Sequence, residues 1–165
     1  MGKKLRTVLW FDGGIEEAAR FYTSTFPDSA MEAPVPAPAD YPGGKEGDPI
    51  VLDLTICGRD FQLLNGGDVG LTPNMMVSLM VETADQAETD RIWDAILAAG
   101  GTAVQCGWIT DPYGYSWQIT PCILNDALAD KDRKVARAAF EAMMPMVKID
   151  VAAIEAAIER ALVHA

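Results

Sequence analysis

The chain has 165 residues, half of them hydrophobic, and a formal net charge of −11 from 24 acidic and 13 basic residues. This length suits one ordinary domain or two small halves that share a core, and the composition is that of a soluble globular protein. The chain is negatively charged and has no basic stripe, which excludes nucleic acid as a partner. It contains no run of about 18 apolar residues, so we predict no membrane span.

The first elements in the chain are a strand and an amphipathic helix. Leu5 to Phe11 is apolar, with β-branched and aromatic members, and it ends at a turn. Its apolar run is only about five residues long before Asp12, which is too short for a signal-peptide core, so we predict a cytoplasmic protein. The following helix, residues 15–26, has apolar side chains at helical spacing and stops at a proline. These side chains are Ile15, Ala18, Ala19, Tyr22 and Phe26.

A proline-rich segment and a hairpin complete the first 67 residues. Residues 33–49 contain half of the ten prolines, so they predict a long surface excursion that cannot join the interior of a sheet, after a possible strand start at 29–32. Ile50 to Cys57 and Arg59 to Asn65 then predict a hairpin about Gly58.

The second half repeats this order of elements. Met75 to Val81 predicts a strand, and residues 85–99 predict a helix with Ala84 or Asp85 near its cap and a glycine stop. Residues 102–109 and 115–120 predict a second hairpin, closed by the turn at 111–114. The apolar face of the helix is predicted to consist of Ile92, Trp93, Ile96 and Leu97.

A short motif occurs twice and indicates a duplicated unit. Gly58-x-x-Phe61-Gln62-Leu63 matches Gly114-x-x-Trp117-Gln118-Ile119, 56 residues later. The helices match at a spacing of 71, and Phe11 corresponds to Val81 at 70, so the proline-rich segment is an insertion in the first copy. The predicted organisation is a duplicated core at 1–123, with modules at about 1–67 and 74–123, followed by a helical extension at 124–165. Within the extension, residues 124–146 and 150–164 have helical periodicity.

Few residues offer independent catalytic chemistry. Three cysteines with irregular spacing predict reduced, buried thiols near strand ends. The single histidine, His164, lies next to the C-terminal residue, where fraying removes it from any nucleophilic triad. Acid–base catalysis by Asp53, Asp60 or Asp111 stays possible in principle, although Asp111 suits the turn in which it lies.

Several ordered blocks resemble a known family. The blocks WFDGGIEEAARFYTSTFPDS, LLNGGD, SLMVET, DRIWDAILAAGG, CGWITDPYGYSWQITP and AMMPMVKIDVAAIEAA are similar to the PhnB-like family labelled 3-demethylubiquinone 3-methyltransferase, within the vicinal oxygen chelate superfamily of glyoxalase I and the bleomycin-resistance proteins. The resemblance implies an α+β fold of two βαβββ modules with appended C-terminal helices. It also implies a small-molecule pocket enclosed by the sheets, usually in a homodimer.

Metal-dependent members of that superfamily hold a divalent ion with four side chains on the first and last strands of the modules. The resemblance carries these positions onto Arg6 or Thr7, Gln62, Met76 and Gln118. None is a carboxylate or an imidazole, so we predict no bound metal. Strand alternation instead predicts a pocket for an unknown small organic molecule. Its candidate lining residues are Arg6, Trp10, Gln62, Met76, Ser78 and Gln118.

The family label names a methyltransferase, which needs a bound adenosyl cofactor. The only glycine-rich candidate, residues 65–70, precedes a strand and not a helix, so the sequence predicts no cofactor. The leading hypothesis is therefore small-molecule binding without metal. Two alternatives stay open, namely an enzyme (the labelled methyltransferase or a glyoxalase- or dioxygenase-type activity with unidentified residues) and a structural or interaction module.

Overall fold

A computed structural model describes residues 5–163. The chain divides between Thr72 and Pro73 into two compact units, each with its own sheet. The predicted α+β class, with helices following the second sheet, is confirmed. No helix within residues 5–163 is long and apolar enough to cross a membrane. His164 lies outside the described residues.

The first unit is a mixed sheet with one helix on one face. Its elements are β1 (Thr7–Phe11), α1 (Ile15–Thr25), β2 (Ala30–Met31), β3 (Val35–Pro36), β4 (Pro49–Ile56) and β5 (Arg59–Asn65). The strand order is β1-β5-β4-β2, with β1 and β5 parallel, and β3 also pairs with β4. A two-residue turn joins β4 to β5, and both Cys57 (φ 49°) and Gly58 (φ 68°) adopt the positive φ that a tight hairpin turn requires.

The core of the first unit lies between α1 and the sheet. All five side chains of the predicted helical stripe are buried, and α1 packs against β4 and β5. The sheet contributes the alternate residues of its strands, which have the period of two expected of a sheet with one covered face. The predicted strand, helix and hairpin are therefore confirmed. The buried sheet residues are Leu9, Phe11, Leu52, Leu54, Ile56, Phe61 and Leu63.

The proline-rich segment is more closely joined to the sheet than its composition predicts. It contributes β3 at the outer side of β4, and Ala37 is buried. The Tyr41 hydroxyl accepts a hydrogen bond from Asn65 Nδ2 at 2.9 Å and donates one to Pro49 O at 3.3 Å. Side-chain hydrogen bonds thus hold the segment where proline prevents a regular backbone ladder.

The second unit repeats the strand, helix and sheet order and adds three helices. Its elements are β6 (Ser78–Thr83), α2 (Gln86–Ala98), β7 (Thr102–Ala103), β8 (Trp108–Thr110), β9 (Ser116–Pro121), α3 (Cys122–Leu128), α4 (Arg133–Met143) and α5 (Val151–Val163). The strand order is β6-β9-β8-β7, with β6 and β9 parallel. Asp85 caps α2 by accepting a hydrogen bond from Glu88 N at 2.8 Å.

Three details of the second unit differ from the sequence predictions. The strand predicted at 75–81 begins only at Ser78, because residues 75–76 form a turn. The strand predicted at 102–109 is two short strands, interrupted where Cys106 (φ 59°) and Gly107 (φ 79°) reverse the chain. Leu97 was assigned to the buried helix face but is 39% exposed, whereas the other three predicted residues are buried.

The helix predicted at 124–146 is two helices. The chain leaves α3 after Leu128, and Asp132 starts α4 by accepting a hydrogen bond from Lys134 N at 2.9 Å. A capping aspartate satisfies a free N–H group at a helix start, which explains the break. The three helices share a core, and Met143 and Met146 pack against it, whereas Met144 is 48% exposed. This core consists of Leu124, Ala127, Val135, Ala139, Ile149 and Ile154.

Residues 146–151 anchor the extension to the second unit. Met146 O and Val147 O accept backbone hydrogen bonds from Cys106 and Gly107, each at 2.8 Å. The Gln86 side chain donates to Ile149 O at 3.2 Å and accepts from the backbone N–H of residue 151 at 2.8 Å. The extension is thus joined to the sheet and to α2 by paired polar groups as well as by apolar packing.

Lys148 adds an ionic contact to this anchor, and we expect its loss to be measurable. Its Nζ lies 2.7 Å from Asp90 Oδ1 and 3.4 Å from Asp94 Oδ1. Because these side chains are partly exposed, Lys148→Met should lower the free energy of unfolding by roughly 1 kcal/mol or less in urea denaturation. Lys45→Met, which removes the exposed Lys45–Asp40 pair, is the control and should have a smaller effect.

The same variant should show a defined pH dependence. The hydrogen bond from Lys148 lowers the pKa of Asp90, and the hydrogen bond to Asp90 raises the pKa of Lys148. The stabilisation that the Lys148–Asp90 ion pair gives to the folded chain is therefore complete between about pH 4 and pH 10. It is lost as the pH falls through the lowered carboxyl pKa or rises through the raised amine pKa. A difference between wild type and Lys148→Met that persists unchanged at pH 2 would contradict this assignment.

The cysteines lie at strand ends, as predicted, but none is buried. Cys57 follows β4 and Cys106 precedes β8, and both are partly exposed. Cys122 is exposed at the start of α3, and none of the three cysteines forms a disulfide. The prediction of buried thiols is wrong because turns, unlike strand interiors, lie at the surface.

Candidate functional site

The face of the first sheet opposite α1 is called the first open face. It consists of Val8, Trp10, Asp53, Gln62 and Leu64, whose strand neighbours point towards α1 and, except for Thr7 at the start of β1, are buried. Val8 and Asp53 both lie opposite Gln62 in the register, and Trp10 lies opposite Leu64. Strand alternation therefore gathers these five side chains on one side of the sheet.

Two predicted site residues on this face are joined through a third. Gln62 Nε2 donates to Asp53 Oδ1 at 2.7 Å, and Arg6 Nη1 donates to Asp53 Oδ2 at 2.7 Å. Both carboxylate oxygens are thus engaged, one by an amide and one by a guanidinium group. Arg6 and Gln62 belong to one network, with Asp53 at its centre.

This network keeps Asp53 ionised. The hydrogen bond from Gln62 lowers the pKa of Asp53, and Arg6 lowers it further. The hydrogen bond and charge of Asp53 raise the pKa of Arg6, to which Asp60 and Glu32 also contribute. Arg6 is therefore surrounded by carboxylates and does not present an uncompensated positive charge to a ligand.

Trp10 is held rigidly at the other end of the first open face. Its indole Nε1 donates to Gly67 O at 2.8 Å, and 44% of its surface is exposed. A Cβ atom at Gly66 would clash with Cζ2 of the indole, so the ring rests on the backbone of that glycine. Trp10 thus presents a fixed and partly exposed aromatic surface.

The glycines considered for an adenosyl cofactor are closely packed against neighbouring groups. Gly66 makes room for Trp10, and Gly67 (φ 79°) would place a Cβ 2.9 Å from the backbone of Gly43. The loop leads from β5 to residues without regular structure, and not into a helix. A Rossmann-type methyltransferase holds its adenosyl cofactor at a glycine-rich turn between a strand and a helix, so this loop does not fit that arrangement.

The second open face lies opposite α2 on the second sheet. It includes Ser78, Met80, Trp108 and Gln118, while Trp117 and its alternate neighbours are buried against the helix. Gln118 Nε2 donates to Ser78 Oγ at 2.7 Å. Both glutamines of the duplicated motif therefore have their amide nitrogen engaged by a side chain of their own sheet.

Two further polar groups border this second face. Ser116 Oγ is buried, and it is the single side-chain nitrogen or oxygen of this kind in residues 5–163 without a hydrogen-bond partner. An unpaired buried hydroxyl costs about 1–3 kcal/mol, which a bound water or ligand atom would relieve. Asn125 of α3 donates to Glu82 Oε1 at 2.6 Å and approaches Met80 Sδ at 3.6 Å. The extension thus reaches this face.

Met76 does not lie with the other predicted residues. It precedes β6 in a turn and is 92% exposed. Register gives the correct correspondence, because Val8 pairs with Gln62 and Met80 pairs with Gln118. Two residues before each of these lie Arg6 and Ser78, so Ser78 is the counterpart of Arg6. The spacing between the first strands is therefore 72, and the predicted equivalence of Phe11 with Val81 is two residues out of step.

The donor set does not fit a divalent metal ion. Within residues 5–163, no three side chains of His, Cys, Asp or Glu come together as ligands. Gln62 directs its amide nitrogen to Asp53, and Arg6 occupies the remaining carboxylate oxygen. A cation here would meet a guanidinium group and amide N–H groups in place of anionic oxygen ligands.

The three aspartates considered for acid–base chemistry have different environments. Asp53 belongs to the network with Arg6, and Asp60 lies opposite Thr55 at the end of β5. Asp111 is buried and accepts hydrogen bonds from Tyr113 N, Tyr115 N and Trp117 Nε1, at 2.9 to 3.0 Å. Asp111 therefore stabilises its turn, in agreement with the sequence interpretation.

A separate cleft of about 280 Å³ lies at the N-terminus of α1. Its lining includes Glu16, Glu17 and Arg20, and because Arg20 pairs with Glu16 at 4.0 Å, the remaining carboxylate opposes the binding of an anion at the helix start. None of the predicted site residues lines it. Its polar base is Asn65, which donates to Tyr41 and accepts from Gly13 N at 2.9 Å, so the cleft has no unpaired buried group.

The importance of Asp53 could have been found from the sequence. Cys57 and Gly58 form a two-residue turn, and Asp53 and Gln62 each lie four residues from it, so they must pair in the hairpin. Asn125 carries no such signal, because its position depends on how α3 leaves β9. The sequence interpretation did not include either residue in the pocket.

Comparison with known proteins gives a family match over more than half of the chain. A family profile described as 3-demethylubiquinone-9 3-methyltransferase matches residues 3–120. This range ends before α3, so the extension, including the AMMPMVKIDVAAIEAA block, lies outside it. A search among curated proteins gives no significant match.

Two solved structures illustrate the fold. One is a putative 3-demethylubiquinone-9 3-methyltransferase, a PhnB protein from Bacillus cereus, with 31% identity and a TM-score of 0.64, covering 72% of this chain and 99% of its own. The other is protein PA1353 from Pseudomonas aeruginosa, with 18% identity and a TM-score of 0.58, covering 73% and 98%. The second similarity concerns the fold alone.

Proposed function

Because the chain belongs to the PhnB-like 3-demethylubiquinone-9 3-methyltransferase family, we propose that it binds a small organic molecule at the open faces of its sheets, without a metal ion. The observation that carries this proposal is the engagement of both motif glutamines. Gln62 donates to Asp53 and Gln118 donates to Ser78, which leaves each carbonyl oxygen available to a ligand. Apolar and aromatic surface surrounds these few polar groups, as is usual for small-molecule sites.

The labelled methyltransferase is the second candidate, and the family name and the Bacillus cereus relative favour it. Against it stands the glycine-rich segment at 65–70, in which Gly66 and Gly67 are closely packed and which does not lead from a strand into a helix as a Rossmann-type cofactor loop does. Calorimetry with S-adenosylmethionine separates the two candidates. Micromolar or tighter binding would favour the methyltransferase, and metal retained stoichiometrically after dialysis would contradict the metal-free proposal.

A thermal-shift screen with a metabolite panel tests the binding proposal directly. A compound that binds the folded chain should raise its midpoint temperature in a concentration-dependent manner. For a compound bound at the first open face, Gln62→Ala should weaken binding by roughly tenfold, because it removes a hydrogen-bond acceptor; for a compound bound at the second open face, Gln118→Ala should do the same.

Gln105→Ala is the matched control for this screen. Gln105 is an exposed glutamine in the turn before β8, and its replacement should leave binding unchanged. Equal weakening by all three variants would contradict the assignment to the open faces. A panel without any shift would favour the structural or interaction module. The predicted homodimer, which sedimentation equilibrium would test, and the predicted cytoplasmic location are part of this proposal.

A further inference from the structure

We infer that the first open face takes a flat ring that carries a hydroxyl or amino group and no negative charge, with its donor hydrogen bonded to Gln62 Oε1. The inference rests on the proposed function and specifies its ligand. Three features of the face carry it, namely the orientation of the Gln62 amide, the charges near Arg6 and the fixed indole of Trp10.

The orientation of the Gln62 amide follows from its partner. Asp53 is a carboxylate whose pKa is lowered, so it accepts hydrogen bonds and does not donate them. The amide nitrogen of Gln62 must therefore be the atom that lies 2.7 Å from Asp53 Oδ1, and the carbonyl oxygen must point away from it. Within residues 5–163 no donor reaches Gln62 Oε1. This oxygen selects a ligand that donates a hydrogen bond.

The charges near Arg6 disfavour an anion. Among residues 5–163, Arg6 is the cation of this face, and Asp53 already accepts its hydrogen bond at 2.7 Å. Asp60 and Glu32 also act electrostatically on the guanidinium group. An anionic ligand would therefore approach three carboxylates and one compensated cation, which is a net repulsion. The face suits a ligand whose polar group near Gln62 carries no negative charge.

Trp10 supplies the flat apolar surface beside this acceptor. The bond from its Nε1 to Gly67 O and its contact with Gly66 hold the ring in one orientation. In the register, Trp10 lies one strand across and two residues along from Gln62, a Cα separation of about 8 Å. A ring stacked on the indole can therefore direct a substituent to the glutamine.

Asp53 acts here as a positioning residue, because it orients Gln62 without contacting the ligand. In Asp53→Asn the new amide can either accept from Gln62 or donate to it, so the carbonyl of Gln62 is no longer directed outward. The selectivity for donors should then fall even if the face still binds rings. Loss of stability alone would not change the ratio of the affinities for a ring with a donor and a ring without one.

Phenol, anisole and benzoate are matched probes for the ligand class. They share one ring, but only phenol is an uncharged donor at neutral pH. In a titration of the full ¹⁵N-labelled chain, phenol should shift the Trp10 Nε1–H resonance saturably, and anisole should bind about tenfold more weakly. Benzoate should bind more weakly still. Gln62→Met should remove the difference between phenol and anisole, Asp53→Asn should reduce it, and Gln105→Met should preserve it.

The outcomes separate this inference from the proposed function. Equal affinity of phenol and anisole in the wild type, or a preference that survives in Gln62→Met, overturns the donor inference and leaves small-molecule binding standing. No response of Trp10 to any probe overturns the inference as well. If the metabolite panel also gives no thermal shift, the proposed function fails with it. If Gln62→Met and Asp53→Asn keep the midpoint temperature of the wild type, their loss of selectivity does not come from unfolding.

Discussion

Replacement of Asp111 by alanine is expected to lower the free energy of unfolding by about 3 kcal/mol or more. The carboxylate is buried and accepts hydrogen bonds from Tyr113 N, Tyr115 N and Trp117 Nε1. Alanine would leave these donors without their acceptor, and Trp117 is itself only 1% exposed. Urea unfolding monitored by circular dichroism measures the loss.

Two further variants test this account of Asp111. Asp111→Asn keeps the acceptor for the two backbone N–H groups but can turn an amide N–H towards the indole N–H, so its loss should be smaller than that of alanine. Trp117→Phe removes one donor, and its effect should be strongly non-additive with Asp111→Asn. Losses below about 1 kcal/mol for Asp111→Ala would show that water replaces the carboxylate at this turn.

Gly67→Ala is expected to destabilise the first unit by about 3 kcal/mol through two separate effects. Its φ of 79° costs an L residue about 1–2 kcal/mol. A Cβ would also lie 2.9 Å from Gly43 Cα and Pro42 O, which are backbone atoms that cannot rotate away. Overpacking of this kind adds about 1–3 kcal/mol. The shift should also disturb the bond from Trp10 to Gly67 O.

Gly70→Ala is the matched control for this substitution. Gly70 has a similar φ of 65°, but nothing lies within 4 Å of its Cβ position. The decrease in the free energy of unfolding caused by Gly70→Ala therefore measures the cost of the backbone conformation alone. The difference between the two variants in the unfolding free energy measures the contact with Gly43. Equal losses would show that the two glycine segments separate easily.

Local patterns were sufficient to predict most elements of the fold. The apolar stripe of α1, the Asp85 cap of α2 and the turn at 111–114 all depend on residues within one or two turns of chain. The same applies to the Cys57–Gly58 hairpin, because two residues with positive φ define its geometry. These features are confirmed because their physical causes act over short sequence distances.

Predictions failed where a boundary depended on distant contacts. Residues 102–109 have strand composition, yet the chain turns at Cys106 and Gly107, where their backbone N–H groups bond to Met146 O and Val147 O. These partners lie 40 residues further along the chain. Likewise Met76 and Ser78 are two residues apart, so strand alternation would place both on the same face. Only the pairing with β9 shows that the strand begins at Ser78.

Residue patterns alone were enough to predict the family, the repeated order of elements and the paired glutamines of the duplicated motif. The role of those glutamines depends on contacts that only the folded chain makes. Gln62 is fixed as an acceptor by Asp53 and Arg6, and Arg6 lies 47 residues from Asp53 along the chain. Gln118 is held by Ser78, 40 residues away. Residue identity limits which hydrogen bonds are possible, but the sheet register selects which groups meet, and that selection leaves the carbonyl oxygens available to a ligand.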